Sequence, residues 1–452
     1  MQILAKSCNF ALVNLAKSCN MLKRKIIETL DKWYESGHYK APLLYGARQV
    51  GKTTAVRMFA KQHYQHFVEV NFVKNPVARQ AFDGNLTTKE IITNLSAMGF
   101  GPFVKGKTLV FFDEIQECPN ARTAIKFLVE ENEFDYIESG SLLGINYKSV
   151  PSYPVGYEER YDVFPMDFEE FLWAKGIQDN VVDLVKECFF NRKPVPEVIH
   201  QQLFKAYREY LVVGGMPEVV QTFVSNPDFS RTVSAQNSIM STYRADITNY
   251  AGSQAPLVKR VFDAMPSALG KADKRFVLAS LEKGASLRKY EDPTQWLIDS
   301  GLAYYSFNTS AFELPFEATE NRKLYKLYMV DTGLLCSQLL KNMQFNVLNG
   351  EIDINEGALT ENFVACALSA NHHSLHYYDK KSRQELDFII PDNGKITVIE
   401  VKSGDQYKKH ASLNSAIENF ESRINKAIVF GKCNVEVGGE VLYLPLYMAG
   451  LV

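Results

Sequence analysis

Positions 46 to 54 of the chain read Gly-Ala-Arg-Gln-Val-Gly-Lys-Thr-Thr. Glycines at this spacing let consecutive backbone N–H groups curl around an anion without Cβ clashes. A lysine followed by hydroxyl residues adds a fixed charge and an oxygen ligand for a metal. The chemistry implied is binding of ATP with Mg²⁺. Gly46, Ala47, Arg48, Gln49, Val50, Gly51, Lys52, Thr53 and Thr54 form the cradle. Lys52 is expected to reach the β- and γ-phosphates, and the Thr53 hydroxyl to ligate Mg²⁺. The flanks agree: 41–45 is an apolar run of strand type and 55–60 has helix composition. Strand, glycine-rich loop, helix is the context that this motif requires. A helix opening at Lys52 also aims its positive dipole end at the phosphates.

A second chemical element is the run Thr-Leu-Val-Phe-Phe-Asp-Glu at 108–114. Continuous apolar residues ending in acids read as a parallel strand buried on both faces. Ligand sites in such sheets lie at the carboxyl ends of the strands. Asp113 is therefore expected in the water shell of Mg²⁺, and Glu114 as the general base that polarises the attacking water. A third strand, 136–138, runs into Ser139-Gly140-Ser141. A small polar residue there could sense the γ-phosphate or hold the water, although the residue types alone mark only a turn.

A second constellation lies near the C-terminus. The segment 356–368 reads as an amphipathic helix with Leu359, Phe363, Val364 and Ala367 on one face and Glu361 in its middle. Strands are expected at 375–378, 385–390 and 396–402, the last two joined by the hairpin signal Asn393-Gly394. Asp387 and Glu400 on adjacent strands can project from one face, and Lys402, two residues past Glu400, shares it. Glu361, Asp387 and Glu400 are expected to ligate a divalent metal, with Lys402 orienting or activating a water for phosphodiester hydrolysis. A satisfied salt-bridge cluster or a decayed site reads the same way.

These elements sit in a chain of 452 residues, long enough for two to four domains. Hydrophobic content of 46% and charged content of 23% are those of a soluble globular protein. No apolar stretch approaches a membrane span. The net charge of −2 excludes a global field for nucleic acid, so such binding would need local patches. The 7 cysteines are scattered and never spaced as metal pairs, which points to a reducing, cytoplasmic compartment. The segment Leu-Ala-Lys-Ser-Cys-Asn occurs at 4–9 and again at 15–20. Residues 1–20 are read as a dispensable tail ahead of Met21. The middle of the chain divides into a helical lid or bridge at 175–250, broken at Gly214-Gly215-Met216-Pro217, and a unit at 251–345 whose helices and glycine-led strand have the outline of a winged helix.

From Met21 onward the chain resembles the large prokaryotic family of AAA-type ATP-binding proteins with a C-terminal DUF4143 region. The stretches that carry the likeness are 44–54, 109–119, 139–141, 164–172, 210–220, 296–302 and 361–403. The resemblance implies an α/β protein with four parts. These are a P-loop AAA core at 21–174, the helical lid, the winged-helix-like middle, and a restriction-endonuclease-like PD-(D/E)XK domain at 346–452. It also implies that Ser139 or Ser141 is the sensor position. The chain departs from the nuclease pattern in having Leu386, not proline, before the first aspartate. Arg160 and Arg244 are both candidates for an arginine finger, and neither fits a firm motif. The function expected is an ATPase whose nucleotide state is coupled to a nuclease-like domain acting on nucleic acid. The alternative is a nucleotide-gated binding or scaffold protein, with DNA or protein as partner, whose nuclease-like domain is inactive.

Overall fold

The computed structural model describes residues 22–37, 40–140, 152–226, 229–340, 356–380 and 384–452. The tail 1–20 and Ser141 lie outside the described residues. The chain forms two compact units. One is Arg24–Phe164 with Asp299–Gly301, and the other is Pro165–Ile298 with Leu302–Val452.

The first unit holds helix α1 (Lys25–Glu35), β1 (Ala41–Tyr45), α2 (Lys52–His63), β2 (His66–Asn71), α3 (Thr88–Ala97), β3 (Thr108–Asp113), α4 (Pro119–Glu131), β4 (Asp135–Gly140) and β5 (Glu158–Asp162). Its sheet has five strands in the order β2-β3-β4-β1-β5, and every pairing is parallel. Burial explains the sequence. All residues of β1 and β3 are buried, so neither strand alternates apolar with polar. Phe72, Phe82 and Phe112 pack edge-on or tilted with centroids 5.5 to 5.9 Å apart, and Ile125 and Leu128 of α4 close over them. Leu44 is level with Ser139, and Tyr45 with Gly140. The carboxyl ends of β1, β3 and β4 therefore lie together at one end of the sheet.

The second unit contains α5 (Phe168–Ala174), α6 (Asp179–Phe190), α7 (Glu197–Val213), α8 (Pro217–Ser225), α9 (Phe229–Tyr250), α10 (Ala255–Leu269), α11 (Leu287–Asp299), β6 (Ala303–Thr309), β7 (Glu320–Met329), α12 (Thr332–Leu340), α13 (Glu356–Ala370), β8 (His376–Asp379), β9 (Glu385–Asp392), β10 (Lys395–Val401), α14 (Ala411–Phe420), β11 (Ile424–Gly431), β12 (Glu436–Gly438) and β13 (Val441–Pro445). Its mixed sheet has eight strands in the order β12-β13-β11-β10-β9-β8-β6-β7. Here the structure departs from the sequence reading. Strands β6 and β7, expected to end a separate winged-helix unit, pair with each other, and β6 adds to β8 in parallel. The sheet thus crosses the expected boundary at 345–346. The reason is that β7 is buried from Tyr325 to Met329 and needs a sheet and a covering helix, which α13 supplies. The side-chain amide of Asn362 both accepts from the Met329 N–H (2.8 Å) and donates to the Met329 carbonyl (3.1 Å), which fixes α13 against this strand.

The expected amphipathic pattern of α13 is also not found. Residues 358–365 are buried without a break, and Thr360, Glu361 and Asn362 are among them. A helix covered on all sides has no polar face to display. The break at Gly214-Gly215 has a clear cause. A Cβ on Gly214 would lie 2.2 Å from an Asp331 carboxylate oxygen, and one on Gly215 would lie 1.9 Å from the Met166 carbonyl oxygen. Asp331 accepts from the N–H of Gly215 (2.6 Å) and of Leu334 (2.8 Å), so one buried carboxylate ends α7 and caps α12.

Candidate functional site

The phosphate loop follows β1. Gly46 has no room for a side chain, because a Cβ would meet the Val163 carbonyl oxygen at 2.1 Å. Gly51, immediately before α2, has φ 94, a left-handed conformation open to glycine. The first N–H groups of α2, beginning at Lys52, have no acceptor inside the helix and are free to face an anion. Lys52 is buried and donates to the carbonyls of Gly46 (2.9 Å) and Ala47 (2.8 Å) in its own loop. Burial pulls its pKa from 10.5 to about 8; the charges of Glu114 and Asp113 oppose this and Arg48 adds to it.

Asp113 ends β3, is 3% exposed, and is gripped from three directions. The Thr53 hydroxyl lies 3.1 and 3.2 Å from its two oxygens, the Asn71 amide donates at 2.7 Å, and the Ser139 hydroxyl donates to its Oδ1. Ser139 is therefore turned to Asp113. A threonine hydroxyl beside a fixed carboxylate is an oxygen set of the kind Mg²⁺ takes, so the residues fit that ion. Glu114 follows with φ 57 and ψ 49, a left-handed conformation uncommon for a residue with a side chain. Gln116 donates to its carboxylate at 2.6 Å.

Two residues of this site escaped the sequence reading. Arg24, just before α1, donates to the Val50 carbonyl (2.6 Å) and the Phe164 carbonyl (2.8 Å), so it braces the loop from behind. Asn71, at the end of β2, orients Asp113. Both act across long sequence separations, and only the end-of-strand position of Asn71 hints at its role.

At the second constellation, β9 and β10 form an antiparallel hairpin in which Ile399 faces Phe388. The next position of that register places Glu400 level with Asp387, on one face. Asn393 (φ 52) and Gly394 (φ 76) make the two-residue turn with both φ positive. Lys402 donates to Glu400 at 2.6 Å, and Asp387 accepts from the Val401 N–H at 2.8 Å. Burial and the Asp387 charge raise the Glu400 pKa to about 8 against the pull of Lys402. Glu361 is differently engaged. Its Oε1 accepts from Lys326 (3.0 Å) and Tyr328 (2.5 Å), and its Oε2 from Lys274 (2.5 Å). Burial pushes its pKa up, but these lysines outweigh that and hold it near 2. Of the expected metal set of Glu361, Asp387 and Glu400, Glu361 has its oxygens turned to Lys326, Tyr328 and Lys274. Among the described residues no three His, Cys, Asp or Glu are placed to hold a metal ion.

Comparison with known proteins agrees with the first site. Residues 38–172 match the AAA domain family, 204–344 a domain of unknown function (DUF8612), and 356–447 another (DUF4143). The chain carries an AAA-type P-loop ATPase domain together with a DUF4143 domain. The uncharacterized protein MJ1637 of Methanocaldococcus jannaschii is 25% identical over 444 residues, covering 92% of this chain and 86% of that one. Among solved structures, the Walker-type ATPase PABY2304 of Pyrococcus abyssi is 14% identical with a TM-score of 0.42, covering 70% of this chain and 96% of its own. The RuvB Holliday junction branch migration motor of Thermotoga maritima is 12% identical with a TM-score of 0.28, covering 67% and 93%. The DUF4143 match begins at the helix bearing Glu361, whereas Lys326 lies in the DUF8612 match. One buried ion pair thus joins two matched regions. No helix among the described residues is long and apolar enough to cross a membrane.

A pH effect follows from Lys52. Without nucleotide the ammonium loses its proton as pH rises through about 8 rather than 10.5. Triphosphate favours the charged form, so ATP binding above that pH takes up a proton. ATP affinity is expected to be insensitive to this group below about pH 8 and to weaken above it. Calorimetry in buffers of different ionisation enthalpy checks this: proton uptake near pH 9 is expected, and its absence there would show that Lys52 is not the phosphate partner.

Proposed function

We propose that this protein is a cytoplasmic, Mg²⁺-dependent ATPase whose nucleotide cycle serves a nuclease-like C-terminal domain acting as a binding platform for DNA or a protein. The observation that carries the ATPase reading is Asp113, fixed by Thr53, Asn71 and Ser139 at the strand end beside the loop. The phosphates of ATP replace the Gly46 and Ala47 carbonyls as partners of Lys52. Thr53 and Asp113 would hold Mg²⁺, which would neutralise charge on the phosphates. Glu114 takes a proton from water as its oxygen bonds to the γ-phosphorus and the bond to the β,γ-bridging oxygen breaks, releasing ADP. Ser139 positions Asp113, and Arg24 holds the loop in shape.

The platform reading is supported by the lysines around Glu361. A second reading, a metal-dependent nuclease, is favoured by the pairing of Asp387 with Glu400 and by Lys402 beside them. One experiment separates the two. The protein is incubated with ATP, Mn²⁺ and single- or double-stranded DNA while phosphate release is followed. Turnover without cutting supports the platform; cutting abolished by Asp387→Asn establishes the nuclease; absence of turnover removes the ATPase reading.

A further inference from the structure

We propose that Lys326 and Lys274 occupy the role of a divalent cation in the carboxylate cluster of the C-terminal domain, so that the chain neutralises its own acids and binds no metal there. This rests on the platform reading and supplies its physical cause. Three acids converge, Glu361, Asp387 and Glu400, and three lysines meet them, Lys274, Lys326 and Lys402. Glu385 also pairs with Lys326, so three lysines offset most of the charge of four acids without an ion.

The placement of the lysines is built into the fold. Lys326 is 0% exposed and lies on β7, where it reaches both Glu361 and Glu385 at 3.0 Å. Tyr328, two residues along the same strand, points to the same face and donates to the same Glu361 oxygen. Lys274 comes from the loop after α10 and has φ 49, a backbone conformation unfavourable for a residue with a side chain. That loop is pinned by the Phe276 N–H to the Tyr325 carbonyl (2.9 Å) and by Arg275 to Asp379 (3.3 Å). Both oxygens of Glu361 are thereby taken by ammonium or hydroxyl donors. A metal ion would need these oxygens turned towards Asp387 and Glu400, and it would sit beside two positive charges. A buried lysine cannot leave without exposing the acids it pairs with.

The test uses the full chain with Asp113→Asn, which removes the carboxylate of the nucleotide site. Mn²⁺ is titrated and followed by electron paramagnetic resonance, and thermal melting is recorded with and without the ion. The expected result is no Mn²⁺ bound to the parent in the low millimolar range and no shift in Tm. Lys274→Met with Lys326→Met is expected to gain one site, at least about tenfold tighter, that vanishes when Asp387→Asn is added. Two results overturn the proposal. One is a parent that already binds one Mn²⁺, or gains Tm from it, in a manner lost with Asp387→Asn. The other is a double variant that folds yet binds no better than the parent. Should the double variant not fold, Lys274→Met, in a partly exposed loop, is measured in its place; it must show the same direction of change, and unchanged binding counts against the proposal. DNA cutting by the parent defeats the platform reading as well, whereas a folded double variant without metal defeats this inference alone.

Discussion

Replacing Lys52 with alanine is expected to weaken ATP binding by about 2–5 kcal/mol, roughly 30- to 5,000-fold, the cost of truncating one side of a buried charged contact. The fold should survive. The ammonium is buried in the protein without nucleotide, where it donates to two carbonyls of its own loop. Its removal costs little when no phosphate is present and much when one is. The melting temperature of the variant should match the parent without nucleotide, and the rise in melting temperature on adding ATP should disappear. Titration calorimetry showing parent-like affinity would mean that the loop is not where ATP binds.

The second large effect is on turnover. Glu114→Gln keeps the size of the side chain and can keep the contact with Gln116, but it cannot take a proton. Hydrolysis is expected to fall about 10²- to 10⁴-fold with ATP affinity preserved. The two variants thus separate binding from chemistry. Asp113→Asn should differ from both, because three donors converge on that carboxylate and an amide cannot accept from all of them at full strength. It is expected to lose the response of turnover to Mg²⁺. Equal turnover in Glu114→Gln and parent would move the base to another residue.

Why some of this was readable from consecutive residues and some was not follows from range. The loop at 46–54, the buried strand ending at Asp113 and the hairpin at Asn393-Gly394 are each specified within about ten residues, by glycine geometry, unbroken apolar runs and turn chemistry. What the sequence concealed is what joins distant segments. Arg24 braces Val50 and Phe164, and Lys326 finds Glu361 35 residues later. Neither arginine nor lysine announces burial, since both are ordinarily exposed. The placement of β6 and β7 in the C-terminal sheet is hidden for a related reason. A strand pattern states that a strand forms and which face is apolar, but not which sheet receives it. A parallel addition such as β6 to β8 leaves no turn signal between the partners. The continuous burial of α13 was hidden because Thr360, Glu361 and Asn362 look like a solvent face until their partners on β7 and the Lys274 loop are known.

The left-handed backbone of Glu114 has a consequence for anyone improving this protein in the laboratory. Glycine or asparagine would hold that conformation with less strain, by roughly 1 kcal/mol, than glutamate does. A library ranked by heat resistance or soluble yield is therefore expected to enrich Glu114→Gly, and the winners would be proteins that grip ATP and release phosphate far more slowly. Robustness and activity pull in opposite directions at this one position, so a selection that rewards only the former would breed an inert nucleotide trap.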